Sequence, residues 1–207
     1  MEVFIRGLCV GAWKENSYII EYGGEAWLID PGDDFEELDN FFSLSQYQVK
    51  GIINTHGHFD HIGAVSDFKV KYDIPFYIHS KDKQLVRQGN LYRRLAGSNT
   101  TIKTPQIDFF LDDISTLSIQ DKTIKIHKTP GHTQGSACFE IDEFLFTGDL
   151  FFKNVLGRTD LPGGDKELLN HSVGYILDNF HNYTIYPGHG SSFLMDDATV
   201  TDLRKLL

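Results

Sequence analysis

Positive charge is in short supply in this chain: 19 Lys plus Arg stand against 29 Asp plus Glu, a net charge of −10. Wide contact with nucleic acid or with an anionic membrane surface needs dense positive charge, so both partner classes are excluded as expectations. The acidic surplus is spread along the sequence and reads as a solubility feature. No run approaches the roughly 20 apolar residues of a membrane span. The opening segment MEVFIRGLCVGAWKEN carries Glu2 near its start and no long apolar stretch ending in small residues, so it does not read as a secretory leader. The expected setting is cytoplasmic. There are only two cysteines, Cys9 and Cys138, each inside an apolar stretch; buried, reduced thiols are expected rather than a disulfide framework. Internal repeats, low-complexity tracts and Pro/Ser-rich linkers are all missing. With 207 residues and 41% hydrophobic side chains, residues 1–207 are expected to form one domain around one substantial core.

What is present is a series of short apolar runs broken by turn residues. Val3 to Val10, Ser17 to Glu21 and Ala26 to Asp30 read as strands, the last stopped by Pro31-Gly32. Asp33 or Asp34 is expected to cap a helix in which Phe35, Leu38 and Phe42 recur at helical spacing. A buried strand, Lys50 to Asn54, runs straight into a histidine cluster. Ile62 to Tyr72 reads as a helix, Pro75 to His79 as a strand, and Ser80 as the cap of a helix through Val86. Gly89 to Pro105 has no pattern and reads as irregular. Strands are expected again at Ser115 to Ile119, Thr123 to His127, Ser136 to Ile141 and Glu143 to Thr147. A glycine-rich loop follows from Lys153 to Gly164. Gly164 or Asp165 then opens a helix with Leu169, Val173, Ile176, Leu177 and Phe180 on one face. A strand from Tyr183 to Tyr186 and a helix starting at Asp196 or Asp197 complete the chain. Two runs of strands, each followed by helices, predict an α/β architecture: two mixed sheets packed face to face with helices outside.

The chemistry sits at strand ends. Thr55-His56-Gly57-His58-Phe59-Asp60-His61 places four metal-ligating side chains within six residues, and the chain holds only 9 histidines. Thr129-Pro130-Gly131-His132, Thr147-Gly148-Asp149 and Pro187-Gly188-His189-Gly190 repeat one design, a strand, a tight turn and then a ligand. Singly these are ordinary turns. Together they supply five imidazoles and two carboxylates, enough for two divalent ions, with zinc expected and iron or manganese as alternatives. His79, His127, His171 and His181 fall outside these motifs and are expected to be structural or surface residues.

THGHFDH followed by PGHT, GD and PGHG in that order resembles the metallo-β-lactamase superfamily, and within it the compact glyoxalase II-like (hydroxyacylglutathione hydrolase) branch. The resemblance implies an αββα sandwich. It also implies that His56, His58 and His132 hold one metal, that Asp60, His61 and His189 hold a second, and that Asp149 bridges both. On that reading two ions about 3.5–4 Å apart lower the pKa of a shared water towards 7, and the resulting hydroxide attacks a carbonyl. Asp60 and Asp149 are the expected catalytic carboxylates. A thiolate needs little help to leave, so S-2-hydroxyacylglutathione, a small thioester, is the expected substrate. Glyoxalase II enzymes carry a basic residue that contacts glutathione near the position of Arg158, so Arg158 is the expected substrate-binding residue, with a solvent-facing arginine paired with Asp160 as the alternative. Asp160 stands where that pattern has an aromatic residue, and the 18 residues after His189 do not match the helical extension typical of those enzymes. The same ligands also resemble those of lactonases and, in part, of single-iron persulfide dioxygenases.

Overall fold

The computed structural model describes residues 1–207. The first sheet has six strands in sequential order: β1 (Phe4–Val10), β2 (Glu15–Tyr22), β3 (Glu25–Ile29), β4 (Gln48–Ile53), β5 (Phe76–Ile78) and β6 (Phe109–Phe110). It starts antiparallel and becomes parallel from β3 onward. The parallel part needs crossovers, which α1 (Phe35–Phe42), α2 (Val65–Tyr72), α3 (Lys83–Arg87) and α4 (Gly89–Leu95) supply. The second sheet gathers β7 (Thr116–Ile119), β8 (Lys122–Lys128), β9 (Ala137–Ile141) and β10 (Phe144–Gly148). After a small separate hairpin of β11 (Phe151–Phe152) and β12 (Val155–Leu156), α5 (Lys166–Asn179) leads to β13 (Thr184–Pro187), which pairs parallel to β10. The edge strand β14 (Phe193–Leu194) and α6 (Asp197–Arg204) follow.

Period-two alternation sorts the apolar side chains into layers. Ile20, Trp27, Ile29 and Ile53 from the first sheet meet Ile124, Phe139 and Phe146 from the second. Their strand neighbours Ile19, Leu28 and Ile52 point the other way, under Phe42 of α1 and Phe68 of α2. On the far side Cys138, Leu145 and Ile185 are covered by Leu169, Val173, Ile176 and Leu177 of α5 and by Val200 and Leu203 of α6. The result is the expected αββα sandwich.

Local departures have local causes. Asp34 stands ahead of α1 in a left-handed conformation (φ 59°) and caps nothing, because its carboxylate accepts the Gly11 N–H and Asp33 pairs with Arg93. Ser80 opens a 3₁₀ turn instead of a capped α-helix; its hydroxyl and N–H both donate to Asp112. Asp165 and Asp196 do cap α5 and α6, accepting the N–H groups of Leu168 and Thr199. Part of the stretch read as irregular is the helix α4, and the loop after Asp149 contains the β11–β12 hairpin. Cys9 is exposed on the edge strand β1, which corrects the expectation of two buried thiols; Cys138 is buried, and both are free.

Burial pushes the Cys138 thiol up to about 12. At pH 8 a thiol-specific reagent is therefore expected to label one thiol per chain, Cys9, quickly. The second should react only when denaturant opens the core. Two equally fast thiols in the native protein would contradict the packing of α5 over β9.

Candidate metal centre

Every predicted ligand leaves a strand at the same rim. His56, His58, Asp60 and His61 follow β4, His132 lies between β8 and β9, Asp149 follows β10, and His189 follows β13. The structure gathers six of the seven into two groups, each with ligand atoms within 4.8 Å of one another, His56, His58 and His132 and Asp60, His61 and His189; Asp30 with His56 and His61 forms a third group at the same spacing. Asp149 lies between the groups. Its carboxylate oxygens are 3.5 Å from Nε2 of His61, of His132 and of His189. His189 Nε2 is also 3.5 Å from Asp60. The other four histidines lie elsewhere: His79 is tied to the Lys81 N–H and His127 to Glu140, while His171 and His181 are exposed.

Buried carboxylates absent from the sequence motifs set these loops. Asp30, at the end of β3 with φ 47°, accepts the Thr55 N–H at 2.7 Å and the Thr55 hydroxyl at 2.5 Å. The same residue lies 3.0 Å from His61 Nδ1. Asp82 accepts the Gly57 N–H (2.8 Å), the Thr133 hydroxyl (2.7 Å) and the Gly135 N–H (2.8 Å), so one side chain ties the His56–His61 loop to the His132 loop. Asn16 of β2 donates to the Pro187 and Gly190 carbonyls and holds the His189 loop from the opposite sheet. Glu15 is buried 3.7 Å from His61 Nδ1, accepts the Ser17 hydroxyl, and is pushed well above the usual carboxyl range by burial. The one sequence signal for this layer is at Asp30, a strand-ending acid before Pro-Gly, as at the ligand turns. Asp82 and Glu15 stand in no such pattern.

The polar atoms left over test whether a cation fits. His56 Nδ1 meets Thr55, His61 Nδ1 meets Asp30, His132 Nδ1 meets the Arg158 carbonyl and His189 Nδ1 meets the Lys14 carbonyl. Those contacts turn the opposite nitrogens inward, where His56 Nε2, His61 Nε2 and Asp149 Oδ1, like His58 Nε2, are buried without a hydrogen-bond partner. Leaving such atoms unpaired costs on the order of 1–3 kcal/mol each. His58 Nδ1 and His132 Nε2 face each other at 2.9 Å. Burial and the surrounding imidazoles lower His56 well below its usual range, and burial with His132 nearby lowers His58 to about 3. Both rings are therefore neutral at pH 7 and carry the lone pairs a metal needs. Burial alone would raise Asp149, yet His61, His132 and His189 hold it ionised. Gly188 must lack a side chain here: a Cβ would lie 2.2 Å from Asp149 Oδ1 and 2.8 Å from His61. The donor set fits divalent cations.

The family model for the metallo-beta-lactamase superfamily matches residues 10–189. This chain belongs to that superfamily. It is 33% identical over 193 residues to a Haemophilus influenzae protein named hydroxyacylglutathione hydrolase GloC, with 88% of each chain covered. It is similar to the crystal structure of the BLEG-1 B3 metallo-beta-lactamase, with a TM-score of 0.85 and 32% identity over 98% of this chain and 97% of that one. A second solved structure, TTHA1623 in a di-iron-bound form, gives a TM-score of 0.82 and 32% identity over 92% and 94% of the two chains. The protein is a metal-dependent hydrolase with a His/Asp metal-binding cluster.

Asp149→Ala removes the carboxylate between the two groups and is expected to lose most bound metal while leaving the stability of the metal-free protein nearly unchanged. Asp82→Ala orphans two buried N–H groups and one hydroxyl, and should lower stability by about 3 kcal/mol as well as metal content. Metal analysis of the purified variants, paired with urea unfolding of their chelated forms, separates the two. Full metal occupancy in Asp149→Ala would remove that residue from the ligand set.

Proposed function

We propose that residues 1–207 act as one catalytic domain that hydrolyses acyl thioesters in the manner of a compact glyoxalase II, with S-lactoylglutathione as the reference substrate. The observation that carries this reading is the pair of His/Asp groups sharing Asp149 at the floor of a cleft whose lining contains no Ser, Thr, Cys or Lys. With no Ser, Thr, Cys or Lys in reach, and with the carboxylates of Asp60 and Asp149 assigned to the metal groups, water is the attacking group in this reading. His56, His58 and His132 would hold one divalent cation and Asp60, His61 and His189 the other, with Asp149 contributing to both. Zinc is the proposed metal, and iron or manganese suits the same donors. When bound, such cations supply Lewis acidity to the substrate carbonyl and lower the pKa of water towards roughly 7.

The chain's own groups do the rest. His61 and His189 keep Asp60 ionised against the effect of burial, and its carboxylate accepts a hydrogen bond from the attacking water and orients it. Asp149, fixed close to three imidazoles, keeps the two halves in register. A thiol leaves as thiolate, which suits a cleft whose one phenol, Tyr92, already donates to Gln88. Arg158 lines the cleft with its guanidinium engaged by Asp160; in this reading it is the group available to a substrate carboxylate. The name of the Haemophilus relative supports the thioester reading. Two free thiols agree with the cytoplasmic setting proposed for the enzyme.

The test is metal analysis of purified protein alongside hydrolysis of S-lactoylglutathione, simple acyl thioesters, a lactone and a cephalosporin. Thioester cleavage is expected to dominate, to fall about a hundredfold on chelation and to return with the added metal. Turnover of the lactone alone, or of the cephalosporin alone, would overturn the thioester assignment and leave the hydrolytic centre standing.

A further inference from the structure

The cleft above the metal centre encloses about 700 Å³, and its polar and apolar parts are segregated. The floor is His58, Asp60, His132, Asp149 and His189, while the walls are almost wholly hydrocarbon. Leu85, Leu95 and Ala96 come from the α3–α4 region, and Val155, Leu156 and Leu161 from the β12 hairpin arm and the segment after it. Leu95 is 74% exposed and Val155 55% exposed, large apolar groups standing in water beside the site. Covering such surface is favourable by about 25 cal/mol per Å².

Recognition of a charged carrier is poorly served. Arg158 is the only cationic side chain among the lining residues. Its Nε and Nη2 donate to Asp160 Oδ1 and Oδ2 at 2.8 and 2.7 Å, so one edge of its fork is taken in a bidentate pair and only the Nη1 edge is left open. Arg93, whose guanidinium lies 5.1 Å from the centre of the Trp13 ring, is likewise committed to Asp33. A glutathione moiety carries two carboxylates, and a single half-engaged guanidinium lines the cleft to receive them. A hydrocarbon chain finds matching surface on both walls, with its carbonyl end at the polar floor.

We infer that the preferred substrate class is a thioester of an aliphatic acyl group several carbons long, carried on a small neutral thiol and favoured over S-lactoylglutathione. This rests on the reading that the centre hydrolyses thioesters. In the reaction the water oxygen forms the new bond to the acyl carbon, and the C–S electron pair leaves with sulfur. One water proton ends on that sulfur, and the other is released as the carboxylic acid ionises.

The experiment compares kcat/KM of the zinc-loaded protein for acetyl, butyryl, hexanoyl and octanoyl thioesters of N-acetylcysteamine with that for S-lactoylglutathione. A rise of about threefold per added methylene is expected over the shorter members, as for burial of each CH₂ against a wall, and Leu95→Asp should cut the octanoyl-to-acetyl ratio about tenfold. In parallel, Trp13 fluorescence is followed during titration with the uncleavable octanoyl amide analogue, with Trp13→Phe as the control for the buried Trp27. A saturable change that Trp13→Phe abolishes supports the apolar cleft without relying on turnover. A flat chain-length series, or S-lactoylglutathione outrunning every aliphatic thioester, overturns this inference and leaves thioester hydrolysis intact. Absence of cleavage of every thioester by metal-loaded protein overturns the thioesterase reading instead, and a silent fluorescence titration in that case overturns the apolar cleft as well.

Discussion

Burial of a polar cluster at the rim of an apolar sandwich is the constraint from which the rest of this structure follows. Imidazoles and carboxylates taken out of water lose hydration that must be replaced on every side. Here the replacement is divided by direction. The outward-facing nitrogens are met by Thr55, Asp30 and two backbone carbonyls, while the inward-facing atoms are left for cations. A ring fixed at one nitrogen has little freedom to rotate at the other, so the cluster is oriented before any metal arrives.

The sandwich supplies the frame for this arrangement. Asp149 and His189 emerge from the adjacent parallel strands β10 and β13, and strand pairing fixes their separation. The His56–His61 loop leaves the first sheet, so the two sheets must stay in fixed relation for the groups to meet. Polar ties that cross between them at the rim do this: Asn16 and Tyr18 of β2 donate to the Pro187 carbonyl, and the Ala137 N–H of β9 donates to Thr55. Below the rim, Phe139 and Phe146 packed on Trp27 and Ile53 keep the layers at constant spacing.

The motif-bearing part of the site was legible in the sequence because each ligand segment follows a short apolar strand, with a glycine before His132, Asp149 and His189 and within the His56–His61 cluster, and both signals are local. The layered fold was legible for the same reason, since alternation in β2 to β4 and helical spacing in α5 are properties of contiguous residues. The supporting carboxylates were not. Asp82 acts on Gly57, Thr133 and Gly135, positions that lie 25, 51 and 53 residues away in the chain, and a single acid in a polar stretch carries no mark of such partners. The helix α4 escaped because Leu91 and Leu95 do not face a core; without a buried stripe, its hydrophobic pattern says nothing about helix. Cys9 was misread as buried because an apolar run on an edge strand presents alternate side chains to water.

The hairpin of β11 and β12 belongs to neither sheet. It pairs only with itself, and with α4 it forms part of the walls of the cleft, whereas the metal-facing groups hang from strand ends at the rim of the sandwich. Replacements in α4 or at the hairpin tip can therefore reshape the opening, provided the Arg158 carbonyl just after β12 keeps its place against His132 Nδ1. The walls and the metal-facing groups come from different segments joined at few points, which is how one hydrolytic frame can be recut for unrelated molecules by changing short surface stretches.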